Sequence, residues 1–169
     1  NAGYPKAMAH LLSRPSVLPF GFLGERVRNV IATFPALYQI LPNAAYVKDQ
    51  RGKPIDVFAD ESWLAAEQQV LLRDAQAFRR ELGTQSSVPT VCIFGYGQKT
   101  LAGVRVQQTP KSNWEQVEFD YHDEGDVHIP AASAVIKSAE IHPVLQQHGS
   151  LYVDNDVRMR LKLELTRQV

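Results

Sequence analysis

The stretch VPTVCIFGYG, Val88 to Gly97, decides how the chain is read. Its β-branched and aromatic residues run almost without interruption and stop at two glycines. That is the pattern of a strand covered on both faces; a strand with one wet face alternates apolar and polar residues instead. Before it lies DESWLAAEQQVLLRDAQAFRRELG, Asp60 to Gly83. There Asp60 can cap a helix, and Trp63, Val70, Leu71, Ala75, Phe78 and Leu82 fall near one stripe. Gly83 can end it after Arg79 and Arg80, with the run FRREL read as a solvated helix end. After the buried stretch, LAGVRVQQT and WEQVEFDYHD read as strands, the second alternating Val117, Phe119 and Tyr121. AASAVIKSAE reads as a short helix or irregular link, and EIHPVLQQH as a strand. The tail DNDVRMRLKLELTRQV alternates apolar residues from Val157 to Leu165 as a strand would, yet it consists of strong helix formers behind a capping Asp154. A helix is the favoured reading. This order predicts an α/β fold with a partly parallel sheet, in which chemistry gathers on loops leaving the carboxyl ends of strands.

Working back toward the first residue, KDQRGKPIDVFAD is a polar loop or hairpin around Gly52 and Pro54. A helix is predicted from about Leu23 to Thr33, with Val27, Val30 and Ile31 on one face, followed by FPALYQILP between Pro35 and Pro42. The chain has 169 residues, 44% apolar and 21% charged, the composition of one globular domain with a sizeable core. Eighteen basic and eighteen acidic residues cancel, so no electrostatically driven nucleic-acid or anionic-membrane partner is expected. Apolar stretches such as VLPFGFLG are short and broken by Pro and Gly, which argues against a spanning helix. No targeting segment is visible, and the compartment is unread. Cys92, the single cysteine, cannot form a disulfide within the chain and is expected to be a buried strand residue. Trp63 and Trp114 are expected to be packing anchors.

Two loops follow predicted strands and carry titratable groups. HDEGDVHIP delivers Asp126, and QQHGSLYVD delivers His148 with Gly149 behind it. An imidazole can take a proton from a hydroxyl at neutral pH if one tautomer is held and the resulting cation is stabilised, and a buried carboxylate does both. Asp126 and His148 are therefore the candidate acid and base. The rival is a metal site: Asp120, His122 and Asp123 with Asp126 and His128 offer oxygen and nitrogen ligands, and Asp120 and His122 share a face of an extended strand. No H-E-x-x-H, cysteine cluster or EF-hand pattern accompanies them. No metal or other cofactor is expected, and Asp120, His122, Asp123 and Glu124 are read as a solvated loop.

Several segments together resemble the lecithin:cholesterol acyltransferase-like branch of the α/β-hydrolases. GYGQKT, Gly95 to Thr100, resembles a glycine-containing turn of that family. GDVHIPAASA, Gly125 to Ala134, resembles its Gly-Asp-x-Thr-Val-Pro-x-x-Ser segment, whose Asp is the triad acid, and the match falls on Asp126. HGSLYVDNDVRMRL resembles its closing segment, and the triad histidine falls on His148. FPALYQILP looks like a Pro-Ser-x-Tyr-x-Leu-Leu-Pro segment of the cap region, which implies that Tyr38 contacts substrate; DVFADESW resembles the stretch that follows. Where the family usually has Gly-Thr after the Asp, this chain has Val127 and His128. The Thr hydroxyl helps hold the family's loop, and His128 either replaces it or signals a different chemistry.

The resemblance implies the C-terminal part of an α/β-hydrolase fold, with residues 1–59 a cap or lid and connecting loop and residues 60–169 the later strands and helices of the core. No G-x-S-x-G nucleophile elbow occurs in the chain. The expectation is thus a serine hydrolase or acyltransferase acting on esters, lipid esters among them, with Asp126 and His148 supplied here and the serine supplied by an N-terminal portion in the same precursor or on a partner chain. Hydrolysis and acyl transfer both stay open. The alternative is a non-catalytic interaction or lipid-binding module, in which SVLPFGFLGERVRNVIATFPALYQILP forms either a lid or a core-packing pair of helices.

Overall fold

The computed structural model describes residues 3–12, 21–42, 46–108 and 114–167. The expected cap segment therefore loses residues 16–20 from the description, and the side chain of Val117 likewise lies outside it. The elements are α1 (Pro5–Leu12), α2 (Gly21–Ile31), α3 (Pro35–Gln39), β1 (Val47–Lys48), α4 (Ala66–Leu82), β2 (Val91–Gly95), β3 (Gln98–Gln108), β4 (Trp114–Gly125), α5 (Ala131–Ala134), β5 (Glu140–Val144) and α6 (Asn155–Thr166), with a 3-10 helix over His148–Val153. The protein is a mixed α/β structure. β1 runs parallel to β3, with Val47 opposite Val104, and β3 is flanked on its other side by β4. The five residues joining β3 to β4 are too few for a parallel crossover, so that pair is antiparallel and the three-stranded sheet is mixed. A second sheet joins β2 and β5 in parallel, from Val91 opposite Glu140 to Gly95 opposite Val144.

The contacts part the chain into two compact units, along other lines than the expected division at residue 59. One takes in Ala2–Gly83 with Ala102–Asp120, the other Thr84–Leu101 with Tyr121–Val169. The long strands β3 and β4 contribute residues to each.

In the first unit the core gathers Met8, Tyr38, Leu41, Val47, Leu72 and Val104 around a stacked pair, Trp63 and Trp114, whose rings are 5.1 Å apart at 8°. Trp63 satisfies its indole N–H on the Val57 carbonyl. Helix α4 begins later than Asp60 predicts. Asp60 instead accepts from the Ser62 backbone in a local turn, and Gln68 reaches back to the Ala65 N–H as the helix cap. With Trp63 outside the helix, the stripe turns: Leu72 and Ala75 are buried, whereas Val70, Phe78 and Leu82 are exposed. The buried face has the 4-3-4 spacing of Gln68, Leu72, Ala75 and Arg79. Arg79 is accordingly no solvated helix end. Its Nη1 donates to the Leu41 carbonyl at 2.5 Å, and its guanidinium lies 4.8 Å from the Phe58 ring centre. Gly83, at φ 67°, ends the helix as expected.

In the second unit Cys92 and Phe94 of β2 are buried, while Val91 and Ile93 are only half covered. The continuous apolar run is thus buried on one face and half-buried on the other. The tail is the favoured helix. Asp154 caps α6 by accepting from Asp156 and Val157, and its carboxyl is held below its ordinary pKa first by the Gln146 side-chain amide. Arg160 ties this helix to Glu140 of β5.

Leu72→Ala should destabilise the protein by about 2–5 kcal/mol, against within about 0.5 kcal/mol for Val70→Ala, in urea unfolding. Burial pushes the Tyr38 phenol from 10.0 up to about 12. An unfolded chain ionises this group first, so stability should fall as pH rises from 10.0 toward about 12, and Tyr38→Phe should flatten that fall in the same unfolding assay.

Candidate active site

Asp126 and His148 stand 22 residues apart in sequence and meet in the second unit. β4 ends at Gly125, and the chain turns through Asp126 to Ile129 before Pro130 bridges back to Gly125. Asp126 builds this turn with its own side chain. Its Oδ1 accepts from the backbone N–H groups of His128 (3.0 Å) and Ile129 (2.7 Å), while its backbone N–H donates to the Ile129 carbonyl. That leaves Oδ2 for His148 Nδ1, at 2.7 Å. His148 arrives from β5 by way of Gln146 and begins the 3-10 helix; its backbone N–H donates to the Asp126 carbonyl at 2.9 Å. The two residues are thus joined by main chain as well as side chain.

The Asp126 side chain is 4% exposed, and the His148 side chain is 53% exposed. An ionised carboxylate only accepts, so in the neutral imidazole Nδ1 carries the proton and Nε2 the lone pair. A buried, fully bonded carboxylate orienting a half-open imidazole in this tautomer is what general base chemistry needs.

Two residues to which the sequence reading gave no role at the site hold the turn. Thr100, buried on β3, accepts from the Val127 N–H at 2.9 Å and donates to the Gln98 carbonyl at 2.8 Å. It supplies a hydroxyl that holds the loop from 27 residues upstream, and no local pattern announces that. Gly95, at the end of β2, lets the strands close on the site: a Cβ there would stand 2.7 Å from Asp126 Cβ and collide with the Gln146 carbonyl. The glycines of FGYG were the available signal. Val127 holds a φ of 83°, strained for a branched residue.

His128 is exposed and lies edge-on to His148, with ring centres 5.7 Å apart at 79°. Asp120, His122, Asp123 and Glu124 are part of strand β4 and not a loop, because the strand persists to Gly125. Asp120 belongs to the other unit, where it pairs with Arg105 at 3.6 Å. Among the described residues no three His, Cys, Asp or Glu side chains are gathered to hold a metal.

Tyr38 sits in the core of the first unit, fully buried, with its hydroxyl donating to the Ala32 carbonyl at 2.7 Å. The same unit has an open cleft of about 670 Å³ beside Asp49, Asp56, Asp60 and Trp114, which neither Asp126 nor His148 borders. Its three carboxylates each accept backbone N–H groups of their own turns.

No protein-family model matches the chain, and a search of curated proteins found no relative. No described helix is long and apolar enough to cross a membrane.

Gly95→Ala should force β2 and the end of β5 apart, costing about 1–3 kcal/mol in chemical denaturation. It should also remove the downfield imidazole proton resonance that the Asp126 contact gives His148, while Gly149→Ala, with open space around its Cβ, should leave that resonance in place.

Proposed function

We propose that this chain is the C-terminal part of an α/β-hydrolase that cleaves or transfers acyl esters, contributing the acid and base of a triad whose serine comes from a separate portion bearing G-x-S-x-G. The observation that carries the reading is the 2.7 Å contact between a buried Asp126 carboxylate and His148 Nδ1, formed by two residues on successive post-strand loops in the order acid then base. The resemblance of GDVHIPAASA and HGSLYVDNDVRMRL to the lecithin:cholesterol acyltransferase-like branch supports the same pair. So does the half-covered apolar face of β2, since parallel strands are ordinarily packed on both sides and further protein would complete the layer.

In this mechanism His148 Nε2 takes the proton from the serine hydroxyl as its oxygen attacks the ester carbonyl. Collapse of the tetrahedral intermediate expels the alcohol, which receives that proton from His148. A water or a second alcohol then enters by the same steps in reverse and frees the acid or the new ester. Asp126 holds the tautomer and offsets the imidazolium charge throughout. The substrate contact implied for Tyr38 belongs to this reading too and requires its buried hydroxyl to become accessible when the enzyme is assembled.

The chain alone should resist labelling by a fluorophosphonate and leave p-nitrophenyl esters uncleaved. Coexpression with the serine-bearing portion should give a labelled, active complex, in which Asp126→Asn lowers kcat by about 10⁴-fold. A serine labelled in the isolated chain would overturn the proposal.

A further inference from the structure

The Asp126 turn fixes the acid with three hydrogen bonds, yet the ring of the base is held at one atom. His148 bonds through Nδ1 alone to the carboxylate, its side chain is half exposed, and the residue after it is a glycine with nothing within 4 Å of its Cβ position. One hydrogen bond sets a distance; it does not by itself stop an imidazole from tilting about its own side-chain torsions or swinging out to water. A second contact is needed if Nε2 is to point one way.

His128 provides it. Its backbone N–H is bonded to Asp126 Oδ1, the partner oxygen of the one that binds His148, so the carboxylate itself sets where the His128 backbone lies. The preceding residue is locked by the Thr100 hydroxyl and by its left-handed torsion, which fixes the direction in which the turn emits side chain 128. That side chain meets the His148 ring edge to face, at a centre separation and angle within the favourable range for ring pairs. Because Thr100 already supplies the hydroxyl that steadies the turn, position 128 is free to do something else.

We propose that His128 is a positioning residue that buttresses the His148 imidazole, so that one turn delivers the acid, and the lateral support for the base. The proposal rests on the reading of His148 as that base. The contribution is made by the ring's shape and edge, not by its charge, and the other ionisable groups on the surrounding elements, Lys99 on β3, Asp123 and Glu124 on β4 and Asp154 at the head of α6, are not part of it.

The test uses the whole chain, ¹⁵N-labelled, at about pH 8, where a free imidazole is neutral. It measures exchange with water of the His148 Nδ1 proton, assigned by its loss in His148→Gln. His128→Ala should speed exchange roughly 2- to 10-fold, the range expected for losing one ring contact, with the thermal midpoint unchanged. His128→Phe, which keeps a ring of similar size, should restore the slow exchange, and His128→Leu should not. An unchanged rate in His128→Ala, or a His128→Phe variant as fast as His128→Leu, would overturn the proposal. If the alanine variant folds poorly, the comparison of Phe with Leu decides alone. Failure here would leave serine labelling of the assembled complex untouched, so the two readings fall separately.

Discussion

A carboxylate taken out of water must be bonded at both oxygens or it destabilises the fold that buries it. Asp126 meets that demand with two backbone N–H groups on Oδ1 and an imidazole on Oδ2, and with its own main chain engaged at both its N–H and its carbonyl. Removing one partner would leave a buried charge short of a bond, which is dearer than the bond itself. The turn after β4, the end of β5 and the start of the 3-10 helix are therefore mutually dependent, because each supplies something this one side chain requires.

The strands make that dependence geometrical. β2 and β5 run side by side, so their carboxyl ends open at the same edge, and Gly95 allows the Gln146 carbonyl and the Asp126 side chain to approach where any other residue would intrude. Asp154 then turns the chain from the 3-10 helix into α6, and Arg160 returns that helix to Glu140. Position is set here by main-chain bonds and close approach, and the ion pairs at the surface add little to it.

The strands and the last helix were legible because β-branched runs and capping residues are local signals. Asp126 and His148 were legible as a pair because each follows a strand and their side-chain types suit one another across a short contact. What the sequence concealed was either locally ambiguous or set by long-range partners. The start of α4 could not be read from Asp60, since an aspartate serves a two-residue turn as readily as a helix cap. Arg79 reads as a solvated cation until the Leu41 carbonyl and the Phe58 ring are placed beside it. Thr100 looks like any strand threonine, and the division of the chain into two units is invisible to periodicity because β3 and β4 cross it without a break in pattern.

Val127 carries the consequence of this construction furthest. Its torsion is uphill for an L-residue with a branched Cβ and ordinary for the mirror-image residue. A D-valine placed there by chemical synthesis would sit in the same turn relaxed. Among coded residues glycine relieves the torsion most fully, but its freedom in the unfolded chain then works against folding. The natural valine takes the intermediate course: stiff before the chain folds and strained afterward, it keeps the handedness of one turn as a standing tension beside the carboxylate.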